Sequence, residues 1–246
     1  MIQLLTVVAL GAATALATGL GAIPVFYLGR GASSWEPALW GLAAGVMTVA
    51  SIVGLLLPAT DEGTTAEVTV GLGVGVAFLT IARLALRGRD IHVGAMSGAG
   101  VRLSVLVFFV LFVHSLPEGF AIGTAYASDT AGLSLFVIVA IALQNIPEGT
   151  SIAIPMADAG FSRTQQFWAA VLTSAPQPLG AGIAFVLVES VRSLLPVSFA
   201  FAAGAMLALV VADLLPRSLS PLGWRGPVGL AAGAIVMLAL SAVLGV

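Results

Sequence analysis

The 246-residue sequence has no cysteine, no lysine and only two histidines, and charged residues make up 8% of it. Without cysteine there is neither a disulfide framework nor a thiolate metal site. All nine basic residues are arginine, and a formal net charge of −2 offers no surface for nucleic acid. What is there instead is apolar: 59% of the residues are hydrophobic, against about 45–50% in soluble domains, where about 25% are charged. That balance is the balance of a membrane protein. The first residues, "MIQLLTVVALGAATALATGLGAIPVFYLG", lack the basic region of a cleaved signal and stay apolar for longer than a signal core, so they read as a first span.

A membrane-crossing helix needs about 20 mostly apolar residues, and eight stretches qualify, at approximately 2–28, 37–58, 66–87, 102–127, 131–156, 164–191, 196–216 and 226–245. The fold class expected is therefore all-α, a polytopic membrane protein of eight transmembrane helices. Connections such as "RGASSWE", "PATDEGTT" and "ASDTAG" leave no room for a separate soluble domain, so residues 1–246 read as a single helical bundle. Arg30, Arg83, Arg87, Arg89, Arg102, Arg163, Arg217 and Arg225 fall at one set of helix ends and Arg192 alone at the other. Counting basic residues near the spans places the arginine-rich connections in the cytoplasm and both termini outside, with an acidic loop at Asp61, Glu62 and Glu67 also outside. Gly41 and Gly45, Gly71 and Gly75, Gly119 and Gly123, and Gly229 and Gly233 have the GxxxG spacing of closely packed membrane helices, and packing is the role expected of them.

Against this background the fourth and fifth spans stand out. "FVHSLPEGFAIG" places His114 one helical turn before Glu118, and "IALQNIPEGTSIA" places Gln144 one turn before Glu148, so each pair shares a helix face. A carboxylate at the bilayer centre costs about 2.5–3.5 kcal/mol on insertion scales and marks a functional site by default. Ser115 and Asn145 adjoin these pairs. Pro117 and Pro147 remove the donors that the carbonyls of Val113 and Leu143 would receive, and are expected to kink the two helices. Freed carbonyls in a membrane are tolerated where they line a cavity or are buried in protein, and two Pro/Gly-interrupted spans with matching residues are the mark of a transporter site at the midplane. Imidazole with carboxylate suits zinc, iron, manganese and their neighbours, whereas magnesium and calcium prefer oxygen alone. Because the ligands must be deprotonated, metal binding is expected to release protons. His92, alone in the loop after the third span, reads as a solvated residue.

At these residues the sequence resembles the ZIP (Zrt/Irt-like protein) family of divalent metal transporters, in particular its GufA-like prokaryotic branch. The match is His114, Ser115, Glu118 and Gly119 in the fourth span and Gln144, Asn145, Pro147, Glu148 and Gly149 in the fifth, with further likeness in "GLAAGVMTVASIVGLLLPA", "SAPQPLGAG" and "FAAGAMLALVVADLLP". The resemblance implies a primary metal subsite of His114, Glu118, Gln144 and Glu148. It implies a second that shares the two glutamates and adds Ser115 and Asn145. Where the family commonly completes that subsite with a sixth-span glutamate, this sequence has Gln177, which offers an amide oxygen and no charge. One well-bound metal is therefore expected. Asp213 occupies the place of a frequent acidic residue near the cytoplasmic exit, while Arg217 stands where another acid is frequent. The resemblance further implies inward transport of zinc or a neighbour such as iron, manganese or cadmium, with no prosthetic group. It also implies a location in the cell membrane, an elevator-like motion of spans one, four, five and six against the rest, and a homodimer.

Two other classes compete. Glu118 and Glu148 could be ion relays of a proton- or sodium-coupled carrier for another solute. An intramembrane hydrolase is disfavoured, because the zincin pattern His-Glu-x-x-His is absent and Ser115 and His114, adjacent along a helix, do not face each other. A metal sensor would need an output domain, for which the connections leave no room.

Overall fold

The structure is a computed structural model and describes residues 1–86, 99–219 and 223–246. Arg87, Arg89, His92 and the side chains of Arg30 and Arg102 lie outside the described set. No strand occurs among the described residues, and eight helical spans are long and apolar enough to cross a membrane. They are α1 (Ile2–Leu28), α2 (Gly31–Glu62), α3 (Thr65–Ala85), α4 (Phe108–Ala127), α5 (Leu133–Asp158), α6 (Arg163–Ser190), α7 (Arg192–Ser218) and α8 (Arg225–Leu244). The protein is a multi-pass membrane protein, and the exposed faces of α3 and α8 carry the apolar residues that lipid requires, among them Val70, Val74, Ile81, Ile235, Leu238 and Val243.

Local chemistry explains where these spans depart from the sequence reading. Asp61 and Glu62 close α2 as helical residues rather than forming a loop, and α3 opens where the Thr64 amide donates to Glu67 Oε2 at 2.8 Å. Two spans are broken. In α1 the helix Ile2–Leu20 gives way at Gly21 and Ala22 to Ile23–Leu28, and in α6 the helix Arg163–Thr173 gives way to Pro176–Ser190. Each second segment has a proline, Pro24 or Pro176, in its first turn, where a missing N–H costs nothing. Two more spans loosen without breaking: α2 and α7 pass through single π-helical turns at Ile52–Leu56 and Val210–Leu214, followed by Pro58 and Pro216. A proline ring crowds the carbonyl four residues before it, and a wider turn makes room for that crowding. Helix α4 and helix α5 run through Pro117 and Pro147 as continuous helix.

Packing divides the helices into two groups. Helix α2 lies along α8 and α3 along α7, whereas α4 lies along the second half of α6, with α1 against α5 and α6. The groups meet where α2 rests on α5 and α7 on α4. Within each group backbone touches backbone: a Cβ at Gly45 would overlap the Leu230 carbonyl, one at Gly75 that of Phe201, and one at Gly123 that of Ala181. At the arginine-rich end, Arg163 Nη2 donates to the Phe26 carbonyl at 3.0 Å and Arg225 Nη1 to the Ser34 carbonyl at 2.6 Å. At the other end Arg192 Nη1 donates to the Ala127 carbonyl at 2.6 Å.

Candidate metal site

The polar residues of α4, α5 and α6 meet at mid-depth, and the broken helices bring them there. Gly119 lets α4 approach the backbone of Gln177, so the side chain that follows the break in α6 lies against Glu118. Gly149 does the same for α5 against Thr18 of α1. The two breaks are themselves tied together, since the hydroxyls of Thr18 and Ser174 are 2.7 Å apart and Thr150 Oγ1 donates to the Gly21 carbonyl at 2.7 Å. His114, Ser115, Glu118, Gln144, Asn145, Glu148 and Gln177 are all buried, each at most 3% exposed. At that burial every polar atom needs a partner, and the accounting of partners divides the site in two.

The first half is closed. Glu118 Oε1 accepts from Gln144 Nε2 at 2.6 Å, and Oε2 accepts from Gln177 Nε2 at 2.8 Å. Gln177 Oε1 in turn accepts from Thr14 Oγ1 at 2.8 Å and from Asn145 Nδ2 at 3.1 Å, and Asn145 Nδ2 also donates to the Thr14 carbonyl at 2.7 Å. Ser115 stays within its own helix, its hydroxyl donating to the Leu111 carbonyl at 3.1 Å. Four helices are thus joined through one glutamine side chain.

The second half is open. Glu148 Oε2, His114 Nδ1 and Gln144 Oε1 are buried without hydrogen-bond partners. His114 and Glu148 line a small cavity of about 10 Å³ together with Trp40, Asp213 and Arg217. His114 Nε2 is 4.0 Å from Asp213 Oδ2. A narrow crevice with no room for a water molecule is lined by His114, Pro117 and Glu118, so the imidazole stands between the closed and open halves. No three His, Asp or Glu side chains converge as a ready metal-holding group among the described residues. Glu118 turns to amide donors, while Glu148 lines the cavity. Orphaned acceptors from α4 and α5 are what a cation entering this space would satisfy.

Sequence reasoning missed Thr14, whose hydroxyl and carbonyl both serve the network. Its signal was present, because Thr14 and Thr18 lie one turn apart in the otherwise apolar stretch Val7–Leu20. Arg83 was missed as well, and it forms an ion pair with Asp213 at 2.8 Å. Nothing in the sequence indicated that α3 would deliver a cation to α7.

The sequence is also similar to those of known proteins. The family profile described as "ZIP Zinc transporter" matches residues 88–241. The zinc transporter GufA of Myxococcus xanthus is 30% identical over 217 residues, covering 82% of this chain and 84% of that protein. The zinc transporter ZIPB of Bordetella bronchiseptica is 31% identical over 250 residues, covering 96% and 80%. A putative zinc transporter of Arabidopsis thaliana is 34% identical over 206 residues, 83% of this chain, which spans 33% of that longer protein. Eight apolar spans, a polar centre on α4 and α5 and these matches together place the chain in the ZIP zinc transporter family.

Proposed function

We propose that this chain carries a divalent transition metal, zinc first, across the cell membrane toward the cytoplasm. The ion is bound between α4 and α5 by His114, Glu118, Gln144 and Glu148. The observation that carries the reading is the set of orphaned acceptors: Glu148 Oε2, Gln144 Oε1 and a nitrogen of His114 are buried without partners, two of these residues lining one cavity. Imidazole with carboxylates favours zinc and its neighbours over calcium or magnesium. The zinc transporters named above support the same cargo.

The second subsite, with Ser115, Asn145 and Gln177, holds a metal weakly or not at all, because its donors are engaged with one another and Gln177 brings no charge. Asp213 receives the ion at the arginine-rich end, which is cytoplasmic by the count of basic residues, leaving both termini outside. The α1, α4, α5 and α6 group moves as the carrier against α2, α3, α7 and α8, and residues 1–246 act as one transport domain. Zinc uptake into proteoliposomes tests the site. Glu118→Gln and Glu148→Gln are each expected to lower the flux at least about tenfold, the effect of losing about 1.4 kcal/mol of binding. Undiminished flux in both would overturn the assignment.

A further inference from the structure

Asp213 does not face the cavity alone. It lies in the π-helical turn Val210–Leu214, and Arg83, from the last turn of α3, sets Nη1 2.8 Å from Asp213 Oδ2 and donates from Nη2 to the neighbouring Ala212 carbonyl at 3.2 Å. The oxygen that the guanidinium holds is the one that faces His114 Nε2 at 4.0 Å. The guanidinium that lines the cavity, that of Arg217, is stacked over the Trp40 ring at 4.9 Å and has its own partner.

The spacing between His114 and Asp213 has a chemical meaning. Zinc bonds imidazole nitrogen at about 2.0–2.1 Å and carboxylate oxygen at about 2.0–2.2 Å, so an N···O separation near 4 Å is spanned by one ion with its two bonds nearly in line. A shift of about half an ångström to one ångström gives the tetrahedral angle. An ion and the guanidinium sharing Asp213 Oδ2 would set two cations against each other in a partly buried place, so they compete for that oxygen.

We propose that Arg83 is a tethered competitor for the transported metal: it occupies Asp213, the ion must displace it on leaving His114 and Glu148, and it takes the carboxylate back afterwards. This rests on the transport reading above. Its effect is to keep a carboxylate beside the site from becoming a trap. Asp213 guides the ion for a moment, and the returning arginine expels it toward the arginine-rich end.

Equilibrium zinc binding to the full chain in detergent, with proteoliposome flux alongside, tests this. Arg83→Gln leaves Asp213 free and is expected to tighten zinc binding by about tenfold or more while slowing turnover. Arg83→Gln with Asp213→Asn is expected to bring affinity back to within about twofold of the wild type, since the gain depends on the carboxylate. Arg83→Lys keeps a cation that pairs at a single point, so it is expected to bind about two- to threefold tighter. It carries the test if Arg83→Gln is not recovered as folded protein. An arginine that merely braced α3 to α7 would give variants that bind zinc equally or more weakly, and that result overturns the proposal. A wild type that binds no zinc overturns the transport reading and this proposal together, whereas a wild type that binds zinc beside variants that do not tighten overturns this proposal alone.

Discussion

Gln177 uses both ends of its amide, donating to Glu118 and Asn145 and accepting from Thr14 and Asn145. A glutamate there would keep the acceptors and lose the donor, setting a second carboxylate against Glu118 where a hydrogen bond to a charged group, worth about 1.5–3 kcal/mol, now lies. Gln177→Glu is therefore expected to lower the metal-free melting temperature, to regain it on adding zinc, and to raise bound zinc from one to two per chain. Thermal unfolding and metal analysis of the purified protein check all three, and a variant as stable as the wild type that still binds one zinc would contradict them. The candidate ligands were legible residue by residue, since His114, Glu118, Gln144 and Glu148 are polar groups with no other reason to be in such spans. Their partners were not. Whether Gln177 turns its oxygen or its nitrogen toward Glu118 is decided by Thr14 and Asn145, which come from helices distant in the chain.

At the scale of the helix, the contrast between glycines is sharp. A Cβ at Gly123 would overlap the Ala181 carbonyl across the α4–α6 contact, whereas a Cβ at Gly73 of α3 meets nothing within 4 Å. Gly123→Ala is expected to destabilise by about 1–3 kcal/mol, the usual cost of overpacking. Gly73→Ala is expected to be neutral or to stabilise by up to about 1 kcal/mol through helix propensity. Thermal unfolding of the two variants in one detergent compares them directly. The number and approximate ends of the spans were legible because length and hydropathy set them. The breaks in α1 and α6 and the π-helical turns in α2 and α7 were not. They depend on how each proline's crowding is relieved, and an unbroken helix, as at Pro117 and Pro147, satisfies the same sequence pattern.

For the whole molecule, orientation is open to a direct test because the chain has no cysteine of its own. Ser34 lies at the arginine-rich end and Asp61 at the other, and both are exposed. In intact cells a membrane-impermeant maleimide is expected to label Asp61→Cys at once and Ser34→Cys only after permeabilisation, and the reverse pattern would place the arginines outside. The connection that carries Ser34 also sets a limit on motion. Arg163, which opens α6 in one packing group, grips the end of α1 just before it at Phe26, and Arg225, which opens α8 in the other group, grips it at Ser34. Between those two points most of the chain is wound as the 3₁₀ helix Gly29–Trp35. From Tyr27 to Ser34, two α-helical and six 3₁₀ residues span about 15 Å and, drawn out straight, about 27 Å. With both grips intact, any sliding of one group past the other along that edge is held to about 12 Å, the slack stored in that short stretch.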